Sequence, residues 1–253
     1  NEAAYITEVL ERFMTRAFRR PATNAEIMRM VGFYQSIRPE FPSLEDAAIE
    51  TLAMVLISPQ FLYLLEPDSS QKRKLNDFEI ASRMSYFLWS TMPDQQLLDL
   101  AADRRLSKSS VLAQQVTRML EDERSWRFVS QFTDEWLKLG NINQIAINTD
   151  VYQGFNEALK TEMVMETRHF FRELLMEDLS ALAFLDSDFA MLNESLARHY
   201  GVDGVLGRDF RRVDLTDEKR GGLLGQASVL MLGSTGQDSH PIRRAVWLRD
   251  RIL

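Results

Sequence analysis

Apolar residues recur at intervals of three and four along most of the chain, a pattern typical of amphipathic helices. The first such stretch is Tyr5–Arg19, whose apolar positions are Ile6, Val9, Leu10, Phe13, Met14 and Phe18. Pro21 ends this helix, and Thr23 stands where a cap would begin the next one, Asn24–Ile37.

A third helix is predicted from Ser43, which precedes Asp46 by three residues as an N-cap does, to about Ser58. The three helices would form a small bundle. The polar, nonperiodic stretch Glu66–Lys74 follows and reads as a linker.

The centre of the chain continues the helical spacing. Asn76 and Glu79 predict a capped helix through Trp89, and Ser107 or Ser110 is expected to cap a later one. The further predicted helices of this region are 94–102, Val111–Leu120, Trp126–Leu139 and Phe155–Glu177.

Towards the end of the chain, Asn193 is expected to cap a short helix that Gly201 closes. The alternation in Asp209–Leu215 indicates a short strand or an extended strap. Two last helices are predicted, Glu218–Leu232 and Ile242–Leu253.

These elements predict an all-α fold, a multi-helix bundle of about eleven helices with at most one short strand or strap. Three modules are expected, at 1–67, 75–202 and 203–253, packed as one body. The chain opens with neither a starting Met nor a signal peptide, and its last residues keep a helical pattern, so it reads as a fragment of a longer protein.

Composition excludes several classes of function. A net charge of −7, with both signs spread along the chain, lacks the basic surface that nucleic acids require. The absence of cysteine excludes disulfides, thiolate metal sites and covalently attached c-type haem within these residues. No apolar run approaches the length of a transmembrane segment, since the longest is Leu52 to Ile57.

Four phrases, in this order, carry a resemblance to a known family. They run from Phe13 to Pro21, from Ile80 to Asp94, from Leu192 to Gly201 and from Arg220 to Leu230. Together they resemble the uncharacterised modules of large planctomycete-type secreted proteins, which are often joined to a c-type cytochrome module. The chain departs from the family at Ser239-His240-Pro241-Ile242-Arg243-Arg244-Ala245, where the family has Ser-Pro-Val followed by Arg-Gly.

The resemblance implies an exported protein, periplasmic or otherwise extracytoplasmic. It implies no cofactor within this chain, with any c-type haem carried on another segment. The implied partners are other modules of the same polypeptide, a cytochrome among them. The family supplies no activity for these modules, so the resemblance decides neither for nor against an enzyme.

One candidate site is a single metal ion bound by Glu162, Glu166 and His169. At about 100° per residue the three side chains share one flank of the long helix, and Glu-x-x-His is the spacing of carboxylate-bridged di-iron bundles. A di-iron site needs a second such motif, which the chain lacks. The alternative is a boundary cluster that pairs with Arg168, Arg172 or another arginine.

A second candidate is an anion- or ligand-binding site where the Gly233–Arg244 loop enters the last helix. Ser239 and His240 stand near the cap, Arg243 can assist, and Arg220 is assigned to the same set. The alternative is an ordinary capped helix behind a surface loop. The small residues 221, 222, 225 and 228 suggest close packing, since the strand that precedes a phosphate-binding turn is missing.

Six aromatic residues recur at helical spacing and are predicted to lie in the core, with a sugar-stacking face as the alternative. They are Tyr86, Phe87, Trp89, Trp126, Phe132 and Trp136. Two functions therefore remain. The first is a helical scaffold or interaction module. The second is an oxidoreductase body, with a pocket between the Glu162–Glu166–His169 flank and the Ser239–Arg243 loop, that exchanges electrons with a haem elsewhere.

Overall fold

The computed structural model describes residues 2–64, 73–215 and 220–253. These residues form two compact units, Asn1–Arg124 and Ser125–Leu253, and the boundary falls inside the predicted central module. Twelve α-helices, several short 3-10 turns and one two-stranded sheet make up the described part of the chain. The predicted all-α class is therefore confirmed, with a small sheet added.

The first unit opens with four helices: α1 (Glu2–Ala17), α2 (Asn24–Ile37), α3 (Leu44–Leu56) and the short α4 (Pro59–Leu62). The local signals that predicted them are present as hydrogen bonds. Thr23 and Glu26 form a capping box at the start of α2, and the Ser43 side chain accepts a hydrogen bond from the N–H of Asp46 at the start of α3. Residues on the facing stripes of the first three helices bury a common core, which includes Ile6, Leu10, Met14, Val31, Tyr34 and Val55.

Three more helices complete the first unit: α5 (Asp77–Trp89), α6 (Gln95–Ala102) and α7 (Ser109–Glu121). Asn76 and Glu79 form the predicted capping box of α5. Trp89 is completely buried, and its indole N–H donates to the carbonyl of Met119 on α7 at 2.8 Å. The guanidinium of Arg124 stacks on the same ring, 3.5 Å from its centroid.

Arg19 joins the beginning of the first unit to its later helices. Its backbone is left-handed (φ 58°), and its side chain is 4% exposed. The guanidinium donates to the carbonyls of Gln60, Phe61 and Tyr63 at 2.9, 3.1 and 2.8 Å, so it caps the end of α4. It also reaches the hydroxyl of Tyr86 on α5 at 3.5 Å.

The second unit contains five helices and both strands. They are α8 (Trp126–Leu137), α9 (Glu157–Met176), β1 (Phe189–Leu192), α10 (Glu194–Tyr200), β2 (Arg211–Asp214), α11 (Ala227–Leu232) and α12 (Pro241–Arg251). The strands pair antiparallel, with Phe189 opposite Asp214 and Leu192 opposite Arg211. All four residues of β1 are buried, so the hairpin lies against the core.

Helix α9 is the longest helix of the described residues, and two hydrophobic clusters of the second unit include its residues. Leu159 and Met163 pack with Leu192 and Leu196, while Phe170 and Leu174 pack with a second set. That second set comprises Leu137, Leu139, Phe189, Met191 and Leu223. A helix with buried residues on more than one side is the natural centre of such a unit.

Helix α12 has no fully buried residue, yet two tryptophans attach it to α8. The indole N–H of Trp136 on α8 donates to the carbonyl of Arg251 at 2.7 Å. The indole N–H of Trp247 on α12 donates to the carbonyl of Leu137 at 3.0 Å. Each tryptophan thus satisfies a carbonyl at the end of the other helix.

Several predicted details are wrong. Neither Ser107 nor Ser110 caps helix α7. The helix begins at Ser109, so its N-cap residue is Lys108, whose side chain makes no capping hydrogen bond. Strand β1 was not predicted, since a fully buried apolar run of four residues shows no alternation. Among the aromatics predicted to lie in the core, Tyr86, Phe87 and Phe132 are exposed by 37%, 61% and 40%.

Two predictions involve residues outside the described ranges. The predicted linker Glu66–Lys74 lies outside them up to Lys72. The first two residues of the predicted helix Glu218–Leu232 also lie outside them. Within the described part of that helix, a 3-10 turn at Leu223–Gly225 comes first and α11 begins only at Ala227. Gly222, with φ 61°, prevents a continuous helix.

Gly221 and Gly222 permit a close approach between two backbone segments. A Cβ on Gly221 would lie 2.7 Å from the carbonyl oxygen of Ser187, and one on Gly222 would lie 2.6 Å from that of Leu185. The Gly222 N–H also donates to the Ser187 hydroxyl at 3.0 Å. The prediction of close packing is confirmed for Gly221 and Gly222, although the segment that approaches them is the turn at 184–187 and not the expected helix.

We expect Gly222→Ala to lower the free energy of unfolding of the second unit by about 3 kcal/mol, because it combines a left-handed backbone with a clash against backbone atoms. Gly140→Ala is the matched control, since a Cβ there meets nothing within 4 Å. The control should change stability by less than about 0.5 kcal/mol. Urea denaturation followed by circular dichroism measures both, and equal effects of the two substitutions would contradict this account of the turn.

Candidate functional site

A buried carboxyl group, Glu166, stands at the centre of the second unit. Its side chain projects from the middle of α9 and is 1% exposed. The hydroxyl of Tyr200, the last residue of α10, donates to Glu166 Oε2 at 2.6 Å. That same hydroxyl accepts the backbone N–H of Ala227, the first residue of α11, at 2.8 Å. One hydroxyl therefore ties three helices together.

Polar groups beside Glu166 extend this arrangement. Thr167, the next residue of α9, donates its hydroxyl to Gln226 Oε1 at 2.7 Å and lies 2.6 Å from the hydroxyl of Ser228. All three of these side chains are buried. Because buried polar groups cost free energy unless they are hydrogen-bonded, the network stabilises only one packing of α9 against α11.

Arg220 supplies a positive charge beside this centre. Its guanidinium lies over the ring of Tyr200, 4.2 Å from the centroid. It lines a cavity of about 10 Å³, room for roughly one water molecule, together with Glu166, Tyr200, Gln226 and the glycines 222 and 225. The geometry suits a neutral or hydrogen-bonded carboxyl and leaves no space for an organic substrate.

Burial raises the pKa of Glu166 to about 8, against smaller lowering effects of the Tyr200 hydroxyl, the Arg220 charge and the Ala227 N–H. The carboxyl is therefore mostly protonated at neutral pH. Burial also raises the pKa of Tyr200 well above its usual value, and the neighbouring Glu166 raises it further. Both groups of the pair are consequently held in their neutral forms.

The other two predicted metal ligands have separate surroundings. Glu162 Oε1 accepts the side-chain N–H of Asn193 at 3.2 Å, whereas its buried Oε2 has no partner among the described residues. His169 lies between two rings, 4.7 Å from Trp126 and stacked 4.8 Å from Phe210. Partial burial, then the charge of Arg172, lowers the pKa of His169 to about 4.

Within the part of the chain that the structure describes, no group of three or more histidine or acidic side chains is arranged to hold a metal ion. Glu162, Glu166 and His169 share a helix flank but interact with different elements, so their spacing along α9 does not become a common ligand set. The predicted alternative of pairing with Arg168 is also not seen, since that arginine binds Asp134 at 2.7 Å.

The predicted anion-binding residues divide between two places. His240 caps α12, its Nδ1 accepting the N–H of Arg243 at 3.3 Å, and Ser239 accepts a hydrogen bond from Arg244 at 2.9 Å. Arg243 donates to the carbonyl of Ser234 at 3.3 Å. These contacts correspond to the simpler prediction, a capped helix behind a folded loop. Arg220 instead accompanies Glu166.

A pocket was expected between the α9 flank and the Ser239–Arg243 loop. The cavity at Glu166 is lined by neither His169 nor any residue of that loop. Sequence reasoning missed Tyr200, Gln226, Thr167 and Ser228. A usable signal was present, because Tyr200 and Gln226 belong to two of the phrases that carried the family resemblance.

The fold and this centre define a predominantly helical protein in which Tyr200 and the segment around Ala227 enclose one buried carboxyl. A family model described as "PSD4: Protein of unknown function (DUF1592)" matches residues 75–202, half of the chain, and the chain belongs to this family. A second model, "PSD5: Protein of unknown function (DUF1595)", matches residues 5–66. Comparisons with curated proteins and with solved structures gave no match.

The resemblance to uncharacterised modules is thus confirmed in its general form. The planctomycete origin and the link to a cytochrome stay predictions, as does the division into three modules. In the described parts of the chain, no helix combines the length and the apolar character that crossing a membrane would need.

Glu166→Gln should alter how stability depends on pH. In the wild type, folding raises the pKa from its usual value of 4.5 to about 8, so the native state binds the proton more tightly. Glu166 contributes most stability below the pKa that it has in the unfolded chain. As the pH rises from there, this contribution falls by roughly 1.4 kcal/mol per pH unit until the pH passes the pKa of the folded state. Glutamine does not titrate, so the variant should gain stability relative to wild type between about pH 5 and pH 8.

Urea denaturation across that pH range tests this expectation. His169 and His199, whose pKa values burial lowers, titrate in both proteins and cancel in the difference. A constant difference between wild type and Glu166→Gln would show that the carboxyl has an ordinary pKa.

Proposed function

We propose that the chain is a noncatalytic helical scaffold within a larger exported protein. It would hold other modules of the same polypeptide, a cytochrome module among them, in position. The main support for this proposal is the closed centre at Glu166, whose cavity of about 10 Å³ is too small for an organic substrate. The residues most suggestive of chemistry are used to join α9, α10 and α11.

Two further features support a structural role. His169 is packed between two aromatic rings, which suits a ring that contributes packing area more than one that exchanges protons. Arg243 and Ser239 are engaged by backbone and side-chain groups of their own loop. The export and the cytochrome partner rest on the family resemblance alone, which is an argument by analogy.

The oxidoreductase alternative required a pocket shared by the α9 flank and the C-terminal loop. The separate surroundings of Glu166 and the Ser239–Arg243 loop favour the scaffold over this alternative. A haem carried on another segment remains compatible with a scaffold, because the scaffold needs only to position that segment.

Metal analysis separates the two functions. After dialysis without chelator, plasma mass spectrometry of the purified chain should find no transition metal near stoichiometric amounts. A near-stoichiometric metal that is lost in both Glu166→Ala and His169→Ala would contradict the scaffold proposal. Glu157→Ala, an exposed acid on the same helix, is the matched control.

Cross-linking of the natural full-length protein tests the positioning role directly. The exposed amines of Lys74 and Lys108 should cross-link to other modules or to a haem-bearing peptide, as identified by mass spectrometry. Cross-links confined to this chain would contradict the proposal.

A further inference from the structure

Helix α3 of the first unit has apolar residues on all its sides. From Ala47 to Ile57, every residue except Glu50 and Thr51 is apolar. Ala47, Thr51 and Val55 are completely buried against the core of the first unit. A helix that is apolar all round is typical of one that is covered on every side. The core covers only one side of α3, so the opposite side lacks a cover.

That opposite side carries a continuous apolar stripe. Ile49 and Leu56 of α3, and Ile57 directly after it, are exposed by 65%, 39% and 63%. Ala53 lies between them and is exposed as well. At about 100° per residue, these four positions follow one line along the helix. The stripe is about 11 Å long, since it covers roughly two helical turns. It includes half of Leu52–Ile57, the longest apolar run of the chain.

The charges of α3 are all negative, because the helix contains no Lys or Arg. By the same helical geometry, the exposed side chains of Glu45 and Glu50 lie on the two flanks of the stripe. Neither carboxylate is in an ion pair with another described residue. Arg38, in the turn that precedes α3, is already paired with Glu2 at 2.9 Å. The face therefore combines uncovered apolar area with two unneutralised negative charges.

An apolar seam between two rows of charge is the arrangement by which paired helices select their partners. A partner helix with apolar residues at intervals of three and four covers such a stripe, and its Lys or Arg side chains lie opposite Glu45 and Glu50. The same negative charges disfavour an anionic lipid surface.

A second copy of α3 is a poorer partner than a basic helix. In a parallel pair the like charges of the two copies would meet. In an antiparallel pair the acids of one copy would lie beside the C-terminal end of the other helix, which is the negative end of its dipole. Both arrangements bury the apolar stripe only at an electrostatic cost.

We propose that the exposed face of α3, from Glu45 to Ile57, binds an amphipathic helix that carries Lys or Arg on both sides of its apolar stripe. This goes beyond the scaffold role, because it assigns a surface of the first unit and the chemistry of its partner. It holds whether or not that helix belongs to the same polypeptide.

Titration calorimetry of the whole chain with synthetic peptides provides the test. The basic probe is a helix-forming peptide of about eighteen residues, with Leu at intervals of three and four and Lys on both flanks. One comparison peptide has Glu in place of each Lys, and the other has the residues of the basic probe in an order without the stripe. We expect a dissociation constant of about 10–100 μM for the basic probe, and at least about tenfold weaker binding of each comparison peptide.

Three outcomes of this titration would overturn the proposal. Equal binding of the acidic peptide would remove the role of charge. Equal binding of the reordered peptide would remove the role of the apolar stripe. Absence of binding by the basic probe at millimolar concentration would show that the face does not take such a helix.

Ile57→Gln should weaken binding of the basic probe by about fivefold or more, because it removes apolar area from the stripe. Ile57 is exposed, so the substitution should leave the fold intact. Leu182→Gln, at a position 73% exposed in the second unit, is the matched control. An unchanged affinity in Ile57→Gln, or an equal loss in both variants, would contradict the proposal.

Glu50→Gln should weaken binding of the basic probe by about threefold and make the affinity less dependent on salt. Glu121→Gln, an exposed acid at the end of α7, is the matched control and should behave as the wild type. The role assigned to Glu50 fails if the two variants lose affinity equally.

Two measurements on the wild type do not depend on how any variant folds. In heteronuclear NMR, the basic probe should shift the amide resonances of residues 45–57, and shifts confined to other regions would overturn the proposal. In sedimentation velocity without peptide, the chain should be a monomer at the concentrations of the titration. A dimer that Ile57→Gln abolishes would assign the face to a second copy and overturn the basic helix as its partner.

Discussion

The hydrogen bond between Tyr200 and Glu166 is the contact on which the second unit depends. A buried carboxyl group in the middle of a long helix is costly unless it is neutral and hydrogen-bonded. Tyr200 meets that need only if α10 ends at the correct place, and Ala227 reaches the same hydroxyl only if α11 begins at the correct place. A single polar requirement therefore defines the relative positions of three helices, more specifically than apolar contact would.

The first unit meets the same physical problem with the opposite charge. Arg19 is buried without a carboxylate among the described residues, and the carbonyls that end α4 accept its hydrogen bonds. This solution satisfies carbonyls that would otherwise lack partners, so the arginine and the helix end stabilise each other.

Local chemistry decided how much of the fold could be predicted. Helix α2 was predicted with its limits, and both the Thr23 cap and the Asn76–Glu79 capping box were found, because a cap involves residues only three apart. Strand β1 was missed, because its burial on both faces removes the alternation that identifies strands. The site was predicted only in part. The spacing of Glu162, Glu166 and His169 is correct for one helix flank, but their partners come from distant segments that no spacing rule relates.

The reciprocal contact between α8 and α12 gives the molecule an internal optical reporter. Trp136 and Trp247 each keep their indole N–H on a carbonyl at the end of the other helix. Separation of the two helices would bring both indoles into water at once, and their fluorescence would move to longer wavelength together. The docking of a helix without a fully buried residue can therefore be followed in the emission spectrum of the unlabelled protein.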